Sequence, residues 1–264
     1  MGTTERIETL ILCGGMGTRL REETEYRPKP MVEIGGRPIL WHIMKGYASS
    51  GFTDFVICLG YKGEQIKEYF LNYEAMNNDF TVELGRPHPV TYYDSHCESG
   101  WRVTLADTGI ETMTGARIKR ASRYLTGDRF MVTYGDGVSD VDIRALLAFH
   151  RQAGTLATVT GVHPSSRFGE LLVDGGRVAQ FSEKPQTHEG LINGGFFVFE
   201  RAFLEYLSDE AACVLEGEPL ERAATEGQLA VFQHRGFWQC MDTFRDYQQL
   251  NQLWSTGEAR WKRW

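Results

Sequence analysis

The sequence lacks the marks of several protein classes. No run approaches the about 18 consecutive apolar residues of a membrane span, and the polar residues 1–8 carry no apolar core of a secretory leader. Cysteine is sparse: five residues, at 13, 58, 97, 213 and 240, an odd number with no CxxC pair. That excludes a dense disulfide framework and disfavours a structural zinc site. Reduced thiols without a leader set the expectation of a soluble, cytoplasmic protein. Positive charge is in deficit, 28 Lys and Arg against 35 Asp and Glu, for a net charge of −7. The balance argues against nonspecific binding of nucleic acid or membranes and leaves room for a local basic pocket around a phosphate. Catalytic signatures are missing too. There is no GxxxxGK[ST], no GxGxxG with its following acidic residue, no GxSxG, and none of the seven histidines falls in HExxH or HxxxH spacing. These gaps disfavour a P-loop kinase, an NAD-linked dehydrogenase, a serine hydrolase and a zinc protease.

What is present reads as one globular domain over residues 1–264, since no repeat, low-complexity tract or Pro/Ser-rich linker divides the chain. With 42 % hydrophobic and 24 % charged residues, the composition is that of a packed protein. The first half alternates strand and helix patterns. Residues 9–13, 55–59, 130–134 and 155–162 are apolar or β-branched runs. Residues 38–49, 63–76 and 141–152 have helical spacing, with Pro38 suited to a first helical position and Gly51 to a stop. Such alternation predicts an α/β fold with a mostly parallel sheet covered on both faces. The core is expected over about 8–162. Residues 163–264 are expected to form a smaller α+β lobe, with a hairpin over 169–181, a strand over 196–199 and helices over 219–225 and 243–254. Residues 80–101 are an excursion suited to oligomer contacts.

In such sheets ligands sit beyond the carboxyl ends of the strands, and two glycine-rich loops fall there. The first is Leu12-Cys13-Gly14-Gly15-Met16-Gly17-Thr18-Arg19. Bare backbone N–H groups, a following turn and an arginine suit a phosphate cradle, although a tight βα turn without a ligand would look similar. Lys29 lies between Pro28 and Pro30, which restrict its backbone. It reads either as a point charge for a polyphosphate or as a solvated loop lysine. Asp136, between Gly135 and Gly137, suits a divalent cation or a plain Asp-Gly turn. Asp242 is either a second carboxylate or the N-cap of the helix that follows. Glu183-Lys184-Pro185 puts a charge pair at a strand end. Asn193-Gly194-Gly195 offers an amide for hydroxyls, and Thr114-Gly115-Ala116-Arg117 offers a helix start with an arginine or simply an exposed helix.

Together these stretches resemble the sugar-1-phosphate nucleotidylyltransferases. The motifs are GGMGTR, RPKPMVEIGGRPILWHIMK, GYKGEQIKEYF, MTGARIKR, TYGDGVSD, RFGEL, INGGFFV and GFWQCMDTFRD, and they cover almost the whole chain in order. The resemblance implies the nucleotide-diphospho-sugar transferase fold: a Rossmann-like, three-layer sheet with a sugar-binding lobe. It implies transfer from CTP to α-D-glucose 1-phosphate, giving CDP-glucose and pyrophosphate, by in-line attack of the sugar phosphate on the α-phosphorus. UTP or dTTP, or another sugar 1-phosphate, would use the same chemistry, and a non-catalytic regulatory protein would share the fold. Carried over residue by residue, Arg19, Lys29 and Asp136 are catalytic. Residues 12–19 with Lys29, Thr112, Arg117 and Gly135 hold the nucleotide. Glu183, Lys184, Asn193 and Gly194 hold the sugar phosphate, and Asp136 and Asp242 hold Mg²⁺. The resemblance also implies a homo-oligomer. The chain departs from the family pattern at Cys240, where proline is usual, and at Glu170, where a small residue is usual.

Overall fold

The computed structural model describes the chain except residues 1–5, 18–19, 86–88, 94–95, 164–169, 175–176 and 183–189, and omits the side chains of residues 21–22, 170–174 and 177–182. Seven strands form one sheet: β1 (Glu8–Cys13), β2 (Asp54–Leu59), β3 (Arg102–Asp107), β4 (Arg129–Tyr134), β5 (Ala157–Val162), β6 (Ile192–Glu200) and β7 (Leu229–His234). Their order is β7-β5-β6-β4-β1-β2-β3. Strands β3, β2, β1 and β4 run parallel, as do β5 and β7, and β6 is antiparallel to both its neighbours β4 and β5.

Alternation along the strands builds two cores. Ile11 and Cys13 of β1 face one side and Leu10 and Leu12 the other. On the first side lie helices α1 (Ile39–Ser49), α2 (Gly63–Leu71), α4 (Ile143–Ala153) and α6 (Phe244–Ser255); on the second lie α3 (Thr114–Ala121) and α5 (Glu218–Thr225). The sheet is therefore buried on both faces, as near-continuous apolar strands require. Strand β6 runs longer than the pattern at 196–199 indicates, because its start, Ile192-Asn193, pairs with Val162 and Gly161 beside the site. Two strands of the expected lobe, β6 and β7, lie in the core sheet itself. The hairpin pairs Glu170–Asp174 with Arg177–Ser182.

Two helical readings need correction. Residues 63–76 do not form one helix. Asn72 donates its side-chain amide to the Glu68 carbonyl at 2.8 Å and closes α2, and a short helix, Tyr73–Asn77, follows. Tyr69, Phe70 and Tyr73 still pack on one side. Pro38 is the cap before α1 rather than its first residue. The excursion carries an exposed hairpin, Phe80–Val82 with Val90–Tyr92. All five cysteines are free. Among the described residues no helix is long and apolar enough to cross a membrane.

His42 on α1 is 1 % exposed and sits among Trp41, Trp254 and Trp261. Its Nε2 donates to the Ile34 carbonyl at 2.8 Å, and its Nδ1 accepts from the Trp261 indole at 3.4 Å. Burial lowers its pKa from 6.5 to about 4. The unfolded chain therefore takes up this proton first, so stability is full above pH 6.5 and falls as pH drops towards 4. The loss approaches about 3 kcal/mol at 1.36 kcal/mol per unit. Urea unfolding at pH 7 and pH 5 tests this: His42→Gln should flatten the slope, and an unchanged slope would contradict it.

Candidate active site

The two glycine-rich loops lie side by side because β1 and β4 are neighbours, and the Gly135 amide donates to the Leu12 carbonyl at 3.0 Å. Above them opens a cavity of about 400 Å³, bordered by Leu12, Cys13, Gly14, Gly15 and Gly17 on one side and Gly135 and Asp136 on the other. Met16 does not border it and is 53 % exposed.

Asp136 and Asp242 are far apart in sequence, and a short pairing joins them. Residues Gly137–Ser139 run antiparallel to Trp238–Cys240, and the Met241 amide donates to the Asp136 carbonyl at 2.8 Å. Both aspartates thus leave the same two-stranded ribbon next to each other. The choice left open for Asp242 is settled by its neighbour: Thr243 caps α6 and, with Asp246, forms a reciprocal capping box. The Asp242 carboxylate is turned to Lys29 instead. Lys29 Nζ donates to Asp136 Oδ2 at 2.6 Å and to Asp242 Oδ1 at 2.5 Å. Pro28 precedes the single 3₁₀ turn Lys29–Met31 and Pro30 follows within it, so the lysine backbone is held while its side chain crosses to both carboxylates. Burial alone would lower the Lys29 pKa. The charge and hydrogen bond of Asp136, with those of Asp242, outweigh that and hold it above the ordinary lysine value.

A second cavity, of about 220 Å³, shares Tyr134, Asp136 and Asp242 with the first and adds Asn193, Gly194, Trp238 and Cys240. The Trp238 indole donates to the Gly194 carbonyl at 2.8 Å. Burial, reinforced by the nearby aspartates, pushes the Cys240 thiol up to about 12, so it stays protonated and donates to Asp242 Oδ2 at 3.7 Å. The structure thus places two ligand-sized compartments on either side of one Lys–Asp–Asp centre.

A pattern describing the nucleotidyl transferase family matches residues 8–256. The chain belongs to that family. It is 49 % identical over 259 residues to a glucose-1-phosphate cytidylyltransferase of Salmonella typhi, covering 98 % of this chain and all of that one. It is 29 % identical over 249 residues to a mannose-1-phosphate guanyltransferase of Gibberella zeae, covering 90 % of this chain and 61 % of the other. Among solved structures, HddC from Yersinia pseudotuberculosis superposes with a TM-score of 0.66 at 22 % identity, over 94 % of this chain and 99 % of that one. This last likeness supports the fold.

In this nucleotidyl transferase Arg117 borders the larger cavity, but its guanidinium faces the protein. It is 4 % exposed and donates to the carbonyls of Gly14, Leu59, Gly109 and Ile110 and to the Thr108 hydroxyl, at 2.7 to 3.1 Å. A Cβ at Gly14 would lie 2.1 Å from that guanidinium, so the first loop glycine is what lets the arginine in. Thr112 accepts from Arg120 at 2.8 Å and lines the same cavity. Thr18, Arg19, Glu183 and Lys184 lie outside the described residues. The sequence reading missed Tyr134, which borders both cavities and whose hydroxyl donates to Glu216; no spacing rule singles either residue out. The available hint was a polar-tipped aromatic at the last position of the strand that leads into Gly135-Asp136.

Arg117→Met should remove five hydrogen bonds that tie three loops together, costing at least about 3 kcal/mol in urea unfolding. A loss below about 1 kcal/mol would contradict this role.

Proposed function

We propose that the protein transfers a cytidylyl group from CTP to α-D-glucose 1-phosphate. A phosphate oxygen of the sugar phosphate forms a bond to the α-phosphorus of CTP as the bond from that phosphorus to the bridging oxygen of pyrophosphate breaks. The products are CDP-glucose and pyrophosphate. The observation that carries this reading is the meeting of Lys29, Asp136 and Asp242 at the boundary of two cavities. The full-length likeness to a curated glucose-1-phosphate cytidylyltransferase supports the substrates.

The assignments follow the family resemblance, and the described residues support them. Leu12, Cys13, Gly14, Gly15 and Gly17, with Gly135 and Thr112, border the larger cavity; with Met16, Thr18 and Arg19 they would hold the nucleotide, Arg19 adding charge to its phosphates. The smaller cavity, bordered by Asn193 and Gly194, would take the sugar phosphate, to which Glu183 and Lys184 are also assigned. Lys29 would neutralise charge on the reacting phosphates; catalysis of this kind is mainly positioning and charge compensation.

Asp136 and Asp242 fit a divalent cation. Two carboxylates this close need positive charge between them, and Lys29 supplies it here. Two carboxylates completed by water and phosphate oxygens suit Mg²⁺. Among the described residues no group of three or more His, Cys, Asp or Glu gathers as a dedicated cage. When bound, the ion would screen phosphate charge and favour the departure of pyrophosphate.

The exposed hairpin supports self-association. Its strands are exposed throughout, Leu84 is 92 % and Tyr93 65 % exposed, and an isolated two-stranded hairpin is marginal in water. A second copy of the chain would cover it. The free thiols accord with a reducing cytoplasm.

A second reading, the same transfer with another sugar 1-phosphate, is favoured by Cys240 on the wall of the smaller cavity. Pyrophosphate release measured across four nucleotides and several sugar phosphates decides between the two. CTP with glucose 1-phosphate should give the highest kcat/KM. Asp136→Ala should abolish release, and Lys29→Ala should lower kcat by about 100-fold or more. Full activity in both variants would refute the site. Leu84→Glu with Tyr93→Glu should shift the protein to a smaller species by light scattering, and an unchanged mass would refute the contact.

A further inference from the structure

Tyr134, the last residue of β4, lines both cavities. Its ring is fixed from two sides. Phe197 meets it edge-on at 6.0 Å and 87°. Gly195, at a φ of +78°, comes so near that a Cβ would lie 2.3 Å from a ring carbon. The second glycine of Asn193-Gly194-Gly195 is thus needed for the ring as well as for its own backbone.

The hydroxyl of Tyr134 is the middle of a hydrogen-bonded chain. It donates to Glu216 Oε1 and accepts from Asn193 Nδ2 at 3.1 Å. The other Glu216 oxygen accepts from the Thr114 hydroxyl at 2.6 Å, and Thr114 accepts from the Leu215 amide at 2.9 Å. At the far end, Asn193 Oδ1 accepts from the Gly195 amide at 2.9 Å. Both hydroxyls donate to Glu216, one to each carboxylate oxygen. The phenol oxygen then has only lone pairs to offer, and it selects the NH₂ end of Asn193. The amide is therefore held one way round, from a chain that starts at the first residue of α3 on the nucleotide cavity. Glu216 and Asn193 both lie exposed at the rims of the site, where a ligand can reach the amide.

We propose that Tyr134 and Glu216 are positioning residues that orient the Asn193 amide for the hydroxyls of the sugar phosphate. This rests on Asn193 contacting the sugar, as read above. Without the phenol the NH₂ end of the amide loses its acceptor and only the Gly195 N–H still orients it, so the loss should fall on the sugar phosphate and spare the nucleotide.

Steady-state kinetics on the full chain, varying each substrate in turn, test this. Asn193→Ala checks the underlying contact and should raise the KM for glucose 1-phosphate about tenfold or more. Tyr134→Phe and Glu216→Ala should each raise it about fivefold to tenfold and leave the KM for CTP within about twofold. Glu216→Gln, which keeps one acceptor oxygen, should lose less. Placed in the Asn193→Ala background, Tyr134→Phe should add nothing, because its effect passes through the amide. If Asn193→Ala leaves the sugar KM unchanged, the contact itself is wrong and the proposal falls with it. If Asn193→Ala raises the KM but Tyr134→Phe does not, the contact stands and the positioning role is overturned. A Tyr134→Phe effect equal on both substrates, or undiminished in the Asn193→Ala background, also overturns it.

Discussion

The ammonium of Lys29 between two carboxylates is the contact on which the rest of the site depends. Aspartates at the ends of different segments repel unless a cation lies between them. Here the lysine is that cation, at 2.6 and 2.5 Å. The arrangement draws on three parts of the fold. Pro28 and Pro30 set the lysine backbone, strand β4 leads through Gly135 to Asp136, and the ribbon of residues 137–139 with 238–240 returns Asp242 to the same place. A buried ion pair is weak evidence for stability, because desolvation offsets the attraction. Its value here lies in fixing where charge sits at the junction of two cavities.

Around that centre the protein spends much of its polar chemistry on holding backbone in place. Arg117 ties together the loop after β1, the end of β2 and the turn after β3, and so braces the glycine-rich loop on one side of the larger cavity. The glycine at position 14 is bare on the side where the arginine enters, so one residue serves both loop geometry and packing. On the other side Tyr134 lines both cavities, and its hydroxyl links Asn193 on the smaller one, through Glu216, to Thr114 on the larger. The result is a rigid frame with two compartments, the arrangement that a two-substrate transfer needs if the reacting groups are to meet in line.

Much of this was legible in the residues. Apolar or β-branched runs gave four of the five sheet strands up to residue 162, three of them running into glycine, and the loops at 14–17 and 135–137 fell at carboxyl ends as parallel sheets require; β3, with polar and half-exposed positions along its length, was missed. Lys29 stood out because prolines flank it. Asp242 did not resolve from sequence, since an Asp before a helical pattern is also a good cap; only the capping box of Thr243 and Asp246 shows that the cap lies one residue later. The role of Arg117 was not legible either, because a guanidinium that binds carbonyls and one that binds phosphate look alike in a string of letters. Strand β6 was underestimated because an asparagine and two glycines, all poor strand formers, follow its first residue, with Asn193 and Gly194 placed on the cavity wall rather than in a core. The break at Asn72 and the exposed hairpin depend on side-chain hydrogen bonding and on unpartnered surface, which periodicity does not report.

The most direct test of the account is a titration of Mn²⁺ followed by electron paramagnetic resonance, with CTP present, on the wild-type chain and on the Asp136→Asn and Asp242→Asn variants. The account predicts one protein-dependent ion per chain, lost or weakened about tenfold or more in each variant. Equal binding in all three proteins would show that the two aspartates do not share an ion, and would contradict it.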